Sequence, residues 1–452
     1  MSQFTNQIEA RQTNLLPTIA LLPWGDLIED FLDTIGISFE AFCNEMTGGW
    51  LFGYIEALKL TGVNTIVFCI SARVQQVTRY THKPTGAIIC VLPAPNIHTQ
   101  VRRATLNPDG WRLEETLQVV TPIRHLFLTA LKDIAPYLAT PIRTLAQLLR
   151  REGCQAILCQ EYEYARFDVC VLLGKLLNIP VFASFQGGNF QVSRLEAPLR
   201  PFTLKACAGL IVASQTERDR LQTLYGLPAS KIAPIFNPLD LHLWYADRTD
   251  PDTLTQRQQT RAELGITPKA LVVVNHGRIE IYRKGLDILL EAWQQICRDL
   301  PHQNLILLLI GTGSDANTLA QQITDLNLTN VVWVNEYILD RAVMRRYLLA
   351  ADLYTLPSRH EGFPVAPIEA MACGLSIVAT DSSGVPDILV DGERSGGLMV
   401  PRGNPNALAA AIRSLLEDAT WRIALGQFAQ QRAATAFSLK SVGQQLRQAL
   451  NT

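Results

Sequence analysis

From Leu271 onward, strand-sized apolar runs alternate with helical segments, and this rhythm restricts the fold more than any other feature of the chain. The runs Leu271–His276, Asn304–Ile310, Val331–Asn335, Asp352–Leu356 and Ser376–Ala379 are each too short for a helix and too uniformly apolar for a half-exposed strand. Helical patterns fall between them, at about 284–299, 315–326, 340–350 and 365–373. That alternation predicts a doubly wound parallel sheet, whose ligands lie beyond the carboxyl ends of the strands. Arg278, the Gly311-Thr312-Gly313 turn and the Pro357–Pro364 loop all follow strand ends, so one edge of the sheet should collect them.

The first half carries the same rhythm less cleanly, with strands predicted at Thr18–Leu22, Asn64–Ile70, Ala156–Cys159, Val181–Ser184 and Leu210–Ala213. A long helical region interrupted by Pro136 and Pro141 is expected over 121–151. A polar linker is expected from Asn237 to about Lys269, and a helical tail from about 420 to 448. A chain of 452 residues exceeds one ordinary core. The division expected is 1–240, 241–432 and a terminal helix over 433–452.

The chemistry concentrates in residues 357–374, Pro-Ser-Arg-His-Glu-Gly-Phe-Pro-Val-Ala-Pro-Ile-Glu-Ala-Met-Ala-Cys-Gly. Gly362, Phe363 and Pro364 resist helix, Ile368–Cys373 favours it, and Gly374 ends it. Glu361 therefore stands on a loop at a helix N-terminus and Glu369 one to two turns inside. Free N–H groups and the positive helix end there suit an anion. The two acids can grip hydroxyls of a phosphorylated sugar. Upstream, Asn275-His276-Gly277-Arg278 and Arg283-Lys284-Gly285 follow a buried strand. Arg278 and Lys284, six apart, are a fork and a point charge suited to phosphate oxygens. Gly311-x-Gly313 lacks a third glycine, so a nicotinamide dinucleotide is a poor fit and a tight turn capped by Ser314 or Asp315 is the plainer reading.

These two motifs, in this order, resemble those of the family 4 glycosyltransferases, retaining enzymes of the GT-B fold. The likeness is strong over roughly 270–435 and thin before 120. It implies two facing Rossmann-like domains with a cleft between them, an N-terminal acceptor-binding half, a C-terminal nucleotide-sugar-binding half, and a last helix crossing back. It implies that Arg278 and Lys284 hold the donor diphosphate, that Glu361 meets the donor sugar and that Glu369 meets the ribose. Gly277 and the backbone of Gly362, Phe363 and Pro364 would lie against the donor, with Tyr337 and Ile338 beside the base. Gly48 and Gly49, at a helix start, are candidates for the cleft. So is the loop Gln160-Glu161-Tyr162-Glu163-Tyr164, although Gln160 stands where the family often has His, and Gln186-Gly187-Gly188 where His-Gly is common. His98 and His125 are weaker substitutes. The resemblance implies transfer of a sugar to a hydroxyl by front-face attack. A nucleotide-sugar epimerase or a non-catalytic sugar- or lipid-binding protein would be the rivals; all four of Arg278, Lys284, Glu361 and Glu369 are present, which disfavours the latter.

Nothing resembling an acidic metal-binding pair stands near these residues, so the two cations are expected to replace a metal, and no cofactor beyond the nucleotide-sugar co-substrate is expected. A net charge of −1 argues against nucleic acid as a partner. Nine scattered cysteines without CxxC spacing suggest a reducing compartment, and a cytoplasmic location is expected. No signal peptide and no membrane span are expected. The bases among apolar residues of 121–151 (Arg124, Lys132, Arg143, Arg150, Arg151) leave two readings, a core helix with a solvated face or peripheral contact with a cytoplasmic membrane surface. The acids of an insert over 24–47 (Asp26, Glu29, Asp30, Asp33, Glu40, Glu45) are expected to shape an acceptor pocket or meet a partner.

Overall fold

The computed structural model describes residues 16–23, 25–34, 36–105, 130–131, 133–186 and 193–451. Two sheets organise it. The first holds β1 (Thr18–Leu22), β2 (Asn64–Ser71), β3 (Thr78–Thr81), β4 (Ile88–Pro93), β5 (Cys154–Gln160), β6 (Val181–Phe185), β7 (Gly209–Val212) and β8 (Ile232–Pro234), in the order β3-β4-β2-β1-β5-β6-β7-β8. Only β3 runs antiparallel, against β4. The second holds β9 (Leu271–His276), β10 (Leu305–Ile310), β11 (Val331–Val334), β12 (Leu353–Leu356), β13 (Ser376–Thr380) and β14 (Gly397–Val400), in the order β11-β10-β9-β12-β13-β14. The strand order reverses at β9 and β12, and the Arg278 and Glu361 loops leave from the carboxyl ends of those two strands.

The helices used below are α1 (Ile28–Thr34), α2 (Phe39–Asn44), α3 (Gly49–Leu60), α4 (Pro251–Glu263), α5 (Ile281–Lys284), α6 (Leu286–Asp299), α7 (Arg341–Ala350), α8 (Ala366–Ala372), α9 (Pro405–Glu417), α10 (Ala419–Ala436) and α11 (Leu439–Ala449). Apolar clusters fill both faces of both sheets. This is the GT-B architecture. Its closing element is α11, which packs on α3 so tightly that a Cβ on Gly443 would lie 2.2 Å from the Ala57 carbonyl. The two chain crossings between the halves pair with each other, Leu239 N–H donating to the Phe437 carbonyl at 2.6 Å.

Three expectations need correction. The span 237–269 is not a bare linker, because it contains α4. Asp250 caps that helix and Pro251 opens it. What holds it is not an apolar stripe but Arg257 and Arg261, which clasp Asp352 at 2.6 and 2.8 Å. The tail from 420 is two helices, broken at Phe437 and Ser438, where Ser438 caps α11. Within 121–151 the described part is helical over 133–138 and again over Ile142–Arg151, separated around Pro141. Arg124, His125 and Lys132 lie outside the described residues, as do Gly187 and Gly188.

The acidic insert forms α1 and α2, and several of its acids serve the N-terminal domain itself. Glu29 accepts the Ala72 N–H at 2.7 Å, Asp30 pairs with Arg102, and Asp33 reaches Arg73 at 2.6 Å.

Candidate active site

At the carboxyl ends of β9 and β12 lies a pocket of about 210 Å³. Gly277, Arg278, Lys284, Glu361, Phe363 and Pro364 all line it, together with Asn275, His276 and Ser358. Residues up to 91 positions apart, Asn275 and Ala366, meet there because strands β9 and β12 are neighbours in parallel register, Leu353 opposite Val273.

The centre of the pocket is an ion pair. Lys284 Nζ donates to Glu361 Oε1 at 2.7 Å and Oε2 at 3.0 Å. Ser358 Oγ donates to the same carboxylate at 2.7 Å. The Glu361 side chain is only 5% exposed, so its charge depends on these two partners. Lys284 ends the one-turn helix α5, and the chain must then double back under the Pro357 loop. Gly285 makes this possible, at φ +64° and with space so short that a Cβ would stand 2.0 Å from the Pro357 carbonyl oxygen. Arg278 is different. Its side chain is 60% exposed and rests on Glu280 at 2.9 Å, free to swing toward a ligand.

A second pair lies deeper. His276 Nε2 is 2.9 Å from Glu369 Oε2, and Arg341 Nη1 is 3.7 Å from Glu369 Oε1. Both His276 and Glu369 are buried. With Nε2 carrying the proton, His276 donates to Glu369, and its Nδ1, which has no partner, becomes an acceptor. Glu369 does not itself line the pocket; His276 stands between. Neither His276 nor Arg341 was singled out from sequence, since only the fold brings them to a carboxylate 93 and 28 positions away.

Phe363 sits at the floor of the site and at the hinge. Its ring stacks on Phe236 (centroids 5.0 Å apart, planes at 11°) and lies 6.0 Å from Phe437. Phe236 and Phe437 belong to the two interdomain crossings, so the donor loop and the hinge share one aromatic cluster. Gly362 passes against Gly384, where a Cβ would be 2.6 Å from the Gly362 carbonyl oxygen. Gly311 and Gly313 press on the backbone of Gly277 and Ile279, and Asp315 accepts the Ile281 N–H at 2.8 Å, so this turn shapes the floor under α5. Tyr337 is 67% exposed, and Ile338 packs on the C-terminal core.

In the N-terminal domain, Gly48 and Gly49 take φ +68° and +61° at the start of α3, with open space where side chains would be. Gln160 ends β5, buried, with its Nε2 3.2 Å from Glu161 and its Oε1 without a partner. Burial pushes the Glu161 carboxyl up to about 8, against the pull of hydrogen bonds from Gln160 and the Gln186 backbone. Glu163 turns instead to Arg220, at 2.7 Å, in a buried network with Tyr162 and Glu217. His98 Nδ1 donates to the Ala135 carbonyl, 2.9 Å away, within the N-terminal domain.

Fold and pocket together define a GT-B glycosyltransferase framework. Residues 256–432 match the family described as glycosyl transferases group 1, and residues 99–243 match glycosyltransferase family 4. The chain belongs to the family 4 type of GT-B glycosyltransferases. It is 31% identical over 243 residues to a D-inositol 3-phosphate glycosyltransferase of Kineococcus radiotolerans, covering 51% of this chain and 54% of that protein. It is 28% identical over 270 residues to an alpha-maltose-1-phosphate synthase of Mycolicibacterium smegmatis, covering 57% and 66%. The chain thus spans about half to two thirds of the length of the curated relatives it matches. Among solved structures it resembles a sucrose-phosphate synthase of Thermosynechococcus elongatus (TM-score 0.63, 20% identity, 96% of this chain and 98% of that one). It also resembles Anabaena HepE in complex with UDP (TM-score 0.66, 17% identity, 96% and 99%).

Proposed function

We propose that the chain transfers a glycosyl group from a nucleoside-diphosphate sugar to an acceptor hydroxyl, with retention of anomeric configuration and without a metal ion. The observation that carries this is the pocket in which Arg278, Lys284 and Glu361 converge at the strand order reversal, with Glu369 behind it. UDP in the HepE structure and the glycosyltransferase relatives support a nucleotide donor.

In this reading the diphosphate draws Arg278 inward and takes a share of Lys284. Charge developing on the departing phosphate is met by fixed cations in a partly dry site. Glu361, freed in part from Lys284, accepts from donor-sugar hydroxyls. Glu369, oriented by His276, accepts from the ribose. The acceptor hydroxyl attacks the anomeric carbon on the face that the phosphate leaves, and the leaving phosphate oxygen takes its proton. Gln160 orients the acceptor and holds no proton in transit. The acceptor enters from the N-terminal domain, and peripheral contact with a cytoplasmic membrane surface would bring lipid acceptors within reach.

Thermal unfolding in the presence of UDP-, GDP- and ADP-sugars tests this, followed by an acceptor screen with the best donor. One donor class should raise the melting temperature by several degrees and yield glycosylated product. No shift with any donor and no release of nucleoside diphosphate would remove the proposal.

A further inference from the structure

On the opposite end of the C-terminal sheet, beyond the amino ends of β12 and β13, lies a second cavity of about 380 Å³. It is bounded by the segment 247–249, by α4 and by α10. Arg248, Arg257 and Arg422 line it. Arg257 shares Asp352 with Arg261 at 2.6 and 2.8 Å, so that carboxylate is already paired, and the other acid on the wall, Asp247, is exposed and accepts from the Thr249 N–H and hydroxyl at 2.8 and 2.6 Å. Arg248 and Arg422 have no ion-pair partner among the described residues. Arg248 donates to the carbonyls of Ala351 (2.6 Å) and Cys373 (3.3 Å), and Arg422 to those of Leu415 (2.6 Å) and Leu416 (3.2 Å). These are the carbonyls at the ends of α7, α8 and α9, and they occupy only part of each guanidinium's five donors. The rest are left to the cavity.

The electrostatics agree. Burial, and then the neighbouring charge of Arg257, pull Arg248 down to about 10, and burial pulls Arg422 below its usual range. Partly buried guanidiniums that outnumber the carboxylates around them and form no ion pair are costly, and an anion between them offsets that cost. Guanidinium forks match the oxygens of phosphate better than those of a halide. Thr253, Gln427 and Gln430 add neutral polar groups to the wall.

We infer that this cavity is an anion site for a small phosphorylated metabolite, separate from the donor pocket and at the opposite end of the C-terminal sheet. It does not depend on the chain being a transferase. The test is isothermal titration of the full chain with inorganic phosphate, pyrophosphate and a hexose monophosphate. Arg278→Ala/Lys284→Ala serves as the background, so that the donor pocket contributes nothing. One equivalent of at least one of these anions should bind, competed by the others, and a hexose phosphate binding more tightly than phosphate would show that the cavity reads the sugar as well. Gln427 is exposed on α10, so Gln427→Glu places a carboxylate at the rim without disturbing the core. It should weaken binding at least tenfold while thermal unfolding without ligand stays unchanged. Absence of saturable binding in the background variant, or equal binding after Gln427→Glu, would overturn the site and leave the arginines as helix caps.

Discussion

Lys284 Nζ lies within 2.7 and 3.0 Å of both carboxylate oxygens of Glu361, so the cation assigned to the donor diphosphate and the acid assigned to the donor sugar hold each other. Each fixes the other's position at the pocket. A ligand that brings phosphate and hydroxyls together can replace this pair with two better-matched ones, and a ligand with only one of them cannot. On the proposed function, an intact nucleotide sugar is therefore expected to bind better than either part alone.

Replacing Lys284 or Arg278 with Ala should each reduce turnover by two or more orders of magnitude, roughly 3 kcal/mol of transition-state stabilisation. Their effects on stability should differ. Lys284→Ala strands the buried Glu361 carboxylate and should cost about 2 kcal/mol of folding free energy, whereas the exposed Arg278 should cost almost none. Steady-state kinetics beside thermal melts check both halves. Near-normal activity in both variants would remove these residues from the donor site.

Glu369→Gln should weaken binding of the bare nucleoside diphosphate and of the donor sugar alike, because the ribose loses a charged acceptor. Glu361→Gln should weaken the intact donor more than the bare nucleotide. Calorimetric titration with both ligands reads the split, and equal losses in the two variants would show the roles to be misassigned.

Activity should persist after dialysis against EDTA. Arg278 and Lys284 supply two positive charges at the pocket, the charge a divalent ion would bring to a diphosphate. A strict requirement for added Mg²⁺ or Mn²⁺ would contradict this.

Glu161 makes stability depend on pH. Its folded value, raised from 4.5 to about 8, means that the folded state holds this proton more tightly than the unfolded chain. The contribution is therefore complete below about 4.5 and is lost as the pH rises through 8. Glu161→Gln should leave the melting temperature at pH 5 nearly unchanged, raise it by several degrees at pH 8.5 and flatten the profile between. An unaltered profile would mean that the carboxyl is not held protonated.

The parallel strands of the C-terminal half were legible nearly to the residue, because strands buried on both faces are unbroken apolar runs. β9 has the bounds read from sequence, and the Glu361 and Arg278 loops follow strands as expected. Of the four edge strands only β11 was legible. β3 is four residues, mostly exposed, and β14 is four residues opening on a glycine, so neither has a pattern long enough to read. α4 was hidden because arginine-to-carboxylate contacts, rather than apolar periodicity, anchor it. In the site, the residues themselves stood out by type and spacing. What sequence could not supply was their pairing: His276 with Glu369, Ser358 and Lys284 with Glu361, and Phe363 with the hinge. The partners of the acidic insert were hidden for the same reason, since its carboxylates meet Arg73 and Arg102 some 40 and 72 positions away.

Gln160 distinguishes a passive acceptor loop from a catalytic one. It ends β5, its Nε2 is given to Glu161, and its buried Oε1 has no partner among the described residues. An amide cannot take a proton from the acceptor, but that oxygen can accept a hydrogen bond from an acceptor hydroxyl and so orient it. If the departing phosphate is the base, Gln160→Ala should raise the acceptor KM severalfold, lower kcat only modestly and leave donor hydrolysis without acceptor nearly unchanged. Gln160→His tests the same point from the other side: it supplies a titratable group and should introduce no new limb in the pH–rate profile. Loss of both transfer and hydrolysis by several orders of magnitude in Gln160→Ala would place this residue in the chemistry itself and end the passive role given to it.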